Sequence, residues 1–158
     1  MAKVQIVCSN GGHLNEALAI AKHLNDHQVE IVTYESKFTE DLTNEIEYDV
    51  RLVSQSHVRL YDNRLRLAKH LYNVTIDASR YLNDDFDCVI STGSEIAIPF
   101  LLIAKLRRIP FIFVESLSRT DELSGTGKIA YKFADTVLVQ WEALAEKYPR
   151  VEYHGRVV

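Results

Sequence analysis

Short apolar runs alternate with longer stretches in which apolar residues recur every three or four positions. Residues 4–8, 29–33, 88–91, 110–114 and 136–139 are runs of four or five residues rich in Val, Ile and Phe. They are too short for helices and read as buried strands. Residues 49–53 form a weaker strand candidate, and 151–154 one more short strand before Gly155. Between them lie helical patterns. In residues 14–24, Leu14, Leu18, Ala21 and Leu24 share one face, and the pattern stops at Asn25-Asp26. Residues 59–82 form the longest, with Leu60, Leu67, Leu71, Val74, Ala78 and Leu82 on one side and Arg59, Asp62, Arg66, Lys69, Asp77 and Arg80 on the other. Further helices are expected at 39–46, 96–106, 128–133 and 141–148. Pro99 stands near the first turn of its helix, where a missing N–H costs little.

Strand–helix alternation with apolar strands predicts an α/β fold: a single Rossmann-like domain over residues 1–158, with a parallel sheet covered by helices on both faces. Parallel sheets of this kind bind ligands at the carboxyl ends of their strands, beside a switch in strand order. The loops after Cys8, Ser91 and Val114 are therefore the places to look for chemistry.

Composition narrows the class. The 158 residues are 47% hydrophobic and 25% charged with a net charge of −4. A chain like this folds without staples, and it lacks the basic footprint of a nucleic-acid binder. Cys8 and Cys88, both within apolar runs, read as core thiols of a reducing compartment rather than a disulfide. The chain enters its first strand almost at once, so no signal peptide is expected. Its longest charge-free apolar run, 96–104, is well short of the ~20 residues of a membrane span. Any membrane contact would be peripheral, with Arg59, Arg64, Arg66 and Lys69 among leucines as candidates. A solvated helix face is the plainer reading of that segment.

Ser9-Asn10-Gly11-Gly12-His13 leads from the first strand into a helix. Its glycines allow a tight turn and expose amides suited to an anion. Known nucleotide motifs fail here. A G-x-G-x-x-G frame from Gly11 meets His13 and Glu16 where glycines belong, a C-x5-R frame from Cys8 meets Leu14, and a Walker frame at Gly127-Lys128 lacks its first glycine and its Ser/Thr. His13 can move protons near neutral pH, though on spacing alone an exposed helix-capping histidine explains it as well. Ser91-Thr92-Gly93-Ser94-Glu95 repeats the strand–glycine–helix arrangement, and Glu115-Ser116-Leu117-Ser118-Arg119 places a carboxylate and a guanidinium after the strand at 110–114. Three polar loops at one sheet edge suit a polar, phosphorylated ligand. No metal-ligand spacing and no nucleophile elbow occurs, and no cofactor is implied.

Four segments, Val7-Cys8-Ser9-Asn10-Gly11-Gly12-His13, Ile90-Ser91-Thr92-Gly93, Phe113-Val114-Glu115-Ser116 and Val139-Gln140-Trp141-Glu142, resemble in order the bacterial PssD/CpsF-type polysaccharide glycosyltransferase subunits. These are relatives of the membrane-anchoring subunit of the eukaryotic dolichol-pathway GlcNAc transferase. The same loops look like a reduced N-terminal domain of MurG. The resemblance implies the acceptor-side half of a GT-B architecture, with a separate partner chain holding most of a UDP-sugar site and a lipid-linked sugar as acceptor, at the inner face of the cell membrane. It implies His13 and Glu115 as catalytic candidates, Glu115 orienting His13 or the acceptor, or itself acting as base. Ser9, Asn10, Gly11, Gly12, Thr92, Gly93, Ser94, Ser116 and Arg119 become the acceptor-binding set. Asn10 departs from the Ser expected there, a mild change in a turn, and no counterpart of the eukaryotic subunit's N-terminal anchor is expected. A recruiting subunit without catalytic groups, a free-standing nucleotide-binding domain and a single-chain enzyme are the competing readings.

Overall fold

The computed structural model of the chain describes residues 1–37, 39, 47–54, 64–83 and 85–157. Seven parallel strands form one sheet: β1 (Lys3–Val7), β2 (Gln28–Tyr34), β3 (Asp49–Val53), β4 (Cys88–Ser91), β5 (Phe111–Val114), β6 (Thr136–Val139) and β7 (Glu152–Tyr153). Their order across the sheet is β3-β2-β1-β4-β5-β6-β7. The chain runs outward from β1 in one direction and, after a crossover, outward from β4 in the other. The crevice between β1 and β4 is thus the switch point at which such sheets bind ligands. Val7 stands opposite Ser91 there, so the loops that follow the two strands emerge side by side.

Among the described residues five helices connect the strands: α1 (Gly12–Ala21), α2 (Arg64–Tyr81), α3 (Ala97–Arg107), α4 (Gly125–Phe133) and α5 (Glu142–Lys147). Alternation along each strand splits the core in two. Ile6, Cys8 and Ile31 pack against Leu14, Ala17 and Ala21 of α1. On the other face, Val7, Val32, Phe111, Phe113 and Val139 pack against Val74 and Ala78 of α2, Phe100 and Ala104 of α3, Ala130 of α4 and Leu144 of α5. Ile6, Phe111 and Phe113 are fully buried, and each such side chain stabilises the fold by about 1.5–3 kcal/mol. The Rossmann-like parallel sheet with helices on both faces is the expected architecture.

Element ends differ from the sequence reading for local reasons. The fourth helix begins at Gly125, three residues early, because the Ser124 hydroxyl accepts from the Gly127 amide and caps it. The third ends at Arg107, where Arg108 turns left-handed at φ 60°. The first ends at Ala21, and Leu24 continues only as a tightened turn onto the Ala21 carbonyl. Beyond Thr39, the expected helix at 39–46 lies outside the described residues, as do the first residues of the long helix, 59–63, and the basic side chains of Arg59 and Arg64. No described helix is long and apolar enough to cross a membrane.

Candidate functional site

At the switch point the first and fourth loops are bolted together by two reciprocal hydrogen bonds. The His13 Nδ1 lies 2.7 Å from the Thr92 carbonyl oxygen, and the Thr92 hydroxyl donates to the His13 carbonyl at 2.8 Å. A carbonyl can only accept, so Nδ1 carries the proton and the lone pair of the neutral imidazole sits on Nε2. The side chain is 28% exposed, neither solvated freely nor sealed in. Gly93 lies flat against the ring. Its φ of 118° excludes side chains, and an added β-carbon would stand 2.9 Å from His13 Cε1.

The carboxylate beside His13 is Glu16, one helical turn later, with Oε2 3.8 Å from Nδ1. Glu16 is buried. Its Oε1 accepts from the Leu117 amide at 2.9 Å and from the Gln140 side-chain amide at 3.2 Å. One residue of α1 thereby ties down the loops after β5 and β6. His13 titrates above its usual range, because the Glu16 carboxylate and the Thr92 carbonyl favour the charged ring more strongly than partial burial opposes it.

Glu115 follows β5 as expected, and its carboxylate is turned inward onto the start of α4. Its side chain is 1% exposed. Oε1 accepts from the Ser116 amide at 3.0 Å, while Oε2 accepts from the Ser124 amide at 2.8 Å and the Ser124 hydroxyl at 3.1 Å. A β-carbon on Gly127 would come within 2.0 Å of Oε2, so the carboxylate occupies the seat that this glycine leaves at the start of α4. Glu115 acts on His13 only as a more distant charge; the ring's hydrogen bond is to the Thr92 carbonyl, and the nearer carboxylate is that of Glu16.

The remaining expected residues line the same edge. Gly11, at φ 78°, forms the turn before α1, and Gly11 and Gly12 are exposed with open space around them. Ser9 is half-buried at the end of β1. Asn10 accepts from the Thr33 hydroxyl at 2.9 Å, which fixes the loop to the end of β2. Ser94, left-handed at φ 72°, donates its hydroxyl to the Glu95 carboxylate. The Ser116 and Ser118 hydroxyls are 3.2 Å apart, and the Arg119 side chain is exposed beside them. Behind this rim Tyr34 donates to Glu95 at 3.2 Å, and its oxygen lies 2.9 Å from His70 Nε2. Burial pushes the Tyr34 phenol up and the His70 imidazole down.

Glu16, Gln140 and the Tyr34–His70–Glu95 group carried no role in the sequence reading. The only signal for Glu16 is its spacing of three from His13 on a helix, which puts both on one face. Gln140 also donates to the Glu115 carbonyl at 3.1 Å and accepts from the Val157 amide at 2.9 Å, joining parts of the chain that sequence does not align. Among the described residues no cluster of His, Cys, Asp and Glu could hold a metal ion. A recess of about 780 Å³ lies at the opposite, amino-terminal edge of the sheet, lined by residues such as Lys3, Gln28 and Asp49; the converging polar loops are not part of it.

The family described as "Oligosaccharide biosynthesis protein Alg14 like" matches residues 82–157. The chain is 28% identical to the UDP-N-acetylglucosamine transferase subunit ALG14 of Eremothecium gossypii, with 98% of this chain and 80% of that protein aligned. It is 27% identical to the human subunit of the same name, over 98% of this chain and 82% of that one. Among solved structures it resembles Acinetobacter baumannii MurG, with a TM-score of 0.74 and 21% identity over 90% of this chain. That overlap is 43% of the MurG chain, so this protein spans less than half the length of the structure it resembles. The likeness to MurG is one of fold.

Proposed function

We propose that this chain is the acceptor-side subunit of a two-chain, inverting glycosyltransferase of the GT-B kind, resembling the PssD/CpsF type of exopolysaccharide and capsule synthesis. A partner chain holds most of a UDP-sugar, and the acceptor is a lipid-linked saccharide at the inner face of the cell membrane. The reading draws its substrate class from the similarity to transferase subunits. Its mechanism rests on one observation: His13, at the carboxyl edge of the sheet, is held by Thr92 in the tautomer that leaves the lone pair on Nε2.

In this mechanism the acceptor hydroxyl attacks the anomeric carbon from the face opposite UDP. The new C–O bond forms as the bond to UDP breaks, UDP leaves with that electron pair, and the hydroxyl proton passes to His13 Nε2. General-base catalysis of this sort contributes about 10²–10⁴-fold. The exposed amides of Gly11 and Gly12, the Ser9–Asn10 turn, the Thr92–Gly93–Ser94 loop, Ser116 and Arg119 hold the acceptor's sugar hydroxyls and diphosphate. Glu115 supports the site by fixing the start of α4.

The test is His13→Ala and His13→Gln, assayed with the partner chain present and with partner affinity measured in parallel. A loss of at least about a hundredfold in kcat with unchanged partner affinity is expected. Near-normal turnover would sink the catalytic role and leave a subunit that recruits its partner. Flotation with anionic liposomes, with and without the partner, tests the membrane assignment; a chain that stays with the unbound fraction in both cases refutes direct contact.

A further inference from the structure

We infer that Glu16 is a positioning residue for the proposed base: its buried carboxylate holds the Nδ1 edge of His13 and stabilises the imidazolium formed when Nε2 takes the acceptor's proton. This rests on the reading of His13 above and gives it a second participant.

The argument begins with an asymmetry in Glu16. Both of its hydrogen bonds, from the Leu117 amide and the Gln140 side chain, are accepted by Oε1. Oε2 is buried without any hydrogen-bond partner, and it is the oxygen that faces His13 Nδ1 at 3.8 Å. An acceptor left unsatisfied in the interior is costly, and bracing the loops after β5 and β6 needs only Oε1. A neutral His13 gives its Nδ1 proton to Thr92, so Oε2 gains a counter-charge only when the ring becomes cationic. The site therefore holds a negative charge in place before the proton arrives, with no reorganisation needed at the moment of transfer.

The charged groups that bear on His13 are Glu16 on its own helix and Glu115 from the end of β5. Both favour the imidazolium, and Glu16 is the nearer. The amino terminus of α1 opposes them through its dipole. The pair also explains why His13 sits at the helix start. From there Glu16, three residues on, reaches the Nδ1 side and leaves Nε2 to the ligand edge.

Glu16→Gln separates the two functions of this side chain. The amide oxygen keeps the bonds to Leu117 and Gln140, while the charge beside His13 is lost. In the full chain with labelled histidines, the six imidazoles are titrated by NMR, alone and with the partner. Wild-type His13 is expected to titrate above the ordinary histidine value of about 6.5. In Glu16→Gln its midpoint falls by about one pH unit, and the other histidines, unmoved, report an intact fold. With partner and substrates, the active form is the neutral ring, so the acid limb of kcat/KM moves to lower pH with that midpoint. The value of kcat falls about tenfold and the acceptor KM is unchanged.

A wild-type His13 that titrates at or below the ordinary value overturns the proposal without recourse to any variant. An unmoved midpoint in folded Glu16→Gln overturns it as well. A midpoint that falls while rate and pH profile stay as in wild type upholds the ion pair and overturns His13 as the base, so failure of the pairing and failure of the proposed mechanism are told apart.

Discussion

Gly93 and His13 are fitted to each other: an added β-carbon on Gly93 would stand 2.9 Å from His13 Cε1 and 3.2 Å from Nδ1. The contact joins the loop after β4 to the loop after β1 across the switch point, and it sets the ring's orientation from the side opposite its chain. Gly93→Ala must both adopt a left-handed φ and displace the ring. It is expected to destabilise the chain by roughly 1–3 kcal/mol and to lower kcat further than that loss of folded protein explains. Denaturant unfolding and turnover with the partner, measured on the same preparations, check both parts. Wild-type kcat in the folded fraction would show that the ring's orientation does not matter.

Glu115 and Gly127 form a second fitted pair, and their behaviour distinguishes an anchor from a base. The carboxylate holds the Ser124 amide and hydroxyl and leaves no room for a β-carbon at Gly127. Glu115→Gln is expected to cost about 1–3 kcal/mol, and Gly127→Ala a comparable amount through overpacking. In both variants activity should follow stability when assayed well below the melting temperature. A Glu115→Gln enzyme that is fully folded yet loses turnover a hundredfold would return Glu115 to the position of base.

Arg119 offers the complementary case, an exposed guanidinium on the loop that Glu16 holds through the Leu117 amide. Its removal should leave stability within about 0.5 kcal/mol. If it grips the acceptor's diphosphate, Arg119→Ala raises the acceptor KM by roughly tenfold, since a charge-assisted bond is worth about 1.5–3 kcal/mol, and leaves kcat in place. An unchanged KM removes Arg119 from the acceptor site.

The sheet and the edge that carries the loops were legible because period-two and period-three-to-four patterns report burial directly. The identity of the loops followed from where the strands end. Which carboxylate meets His13 was not legible. Glu115 follows a strand and stands beside Ser and Arg, so it looks exposed and chemical, yet the fold turns it inward onto Ser124. Glu16 lies inside an amphipathic helix where a solvated face is the default, yet Leu117 and Gln140 arrive from 101 and 124 residues away to bury it. Such long-range hydrogen bonds leave no periodicity. The early start of α4 is a smaller instance: its cap depends on Ser124, whose own hydroxyl is held by Glu115.

Two histidines are expected to tilt the pH dependence of stability in opposite senses. His13 is raised in the folded state. Its contribution is fully present below the unfolded value of about 6.5 and is lost as pH rises through the folded value. His70 is lowered by burial against Tyr34. It binds its proton more readily when unfolded, so its contribution is present above about 6.5 and lost as pH falls through the folded value. His70→Gln keeps a donor for the Tyr34 hydroxyl but cannot titrate. Between pH 7 and 5, the unfolding free energy of this variant should fall less steeply than that of wild type. Glu16→Gln should flatten the loss that His13 contributes as pH rises above about 6.5. Urea unfolding at half-unit pH steps measures both slopes. Parallel curves for wild type and His70→Gln below pH 6.5 would mean that His70 is charged in the folded protein, and that the Tyr34 hydroxyl is shared with a cation rather than with a neutral ring.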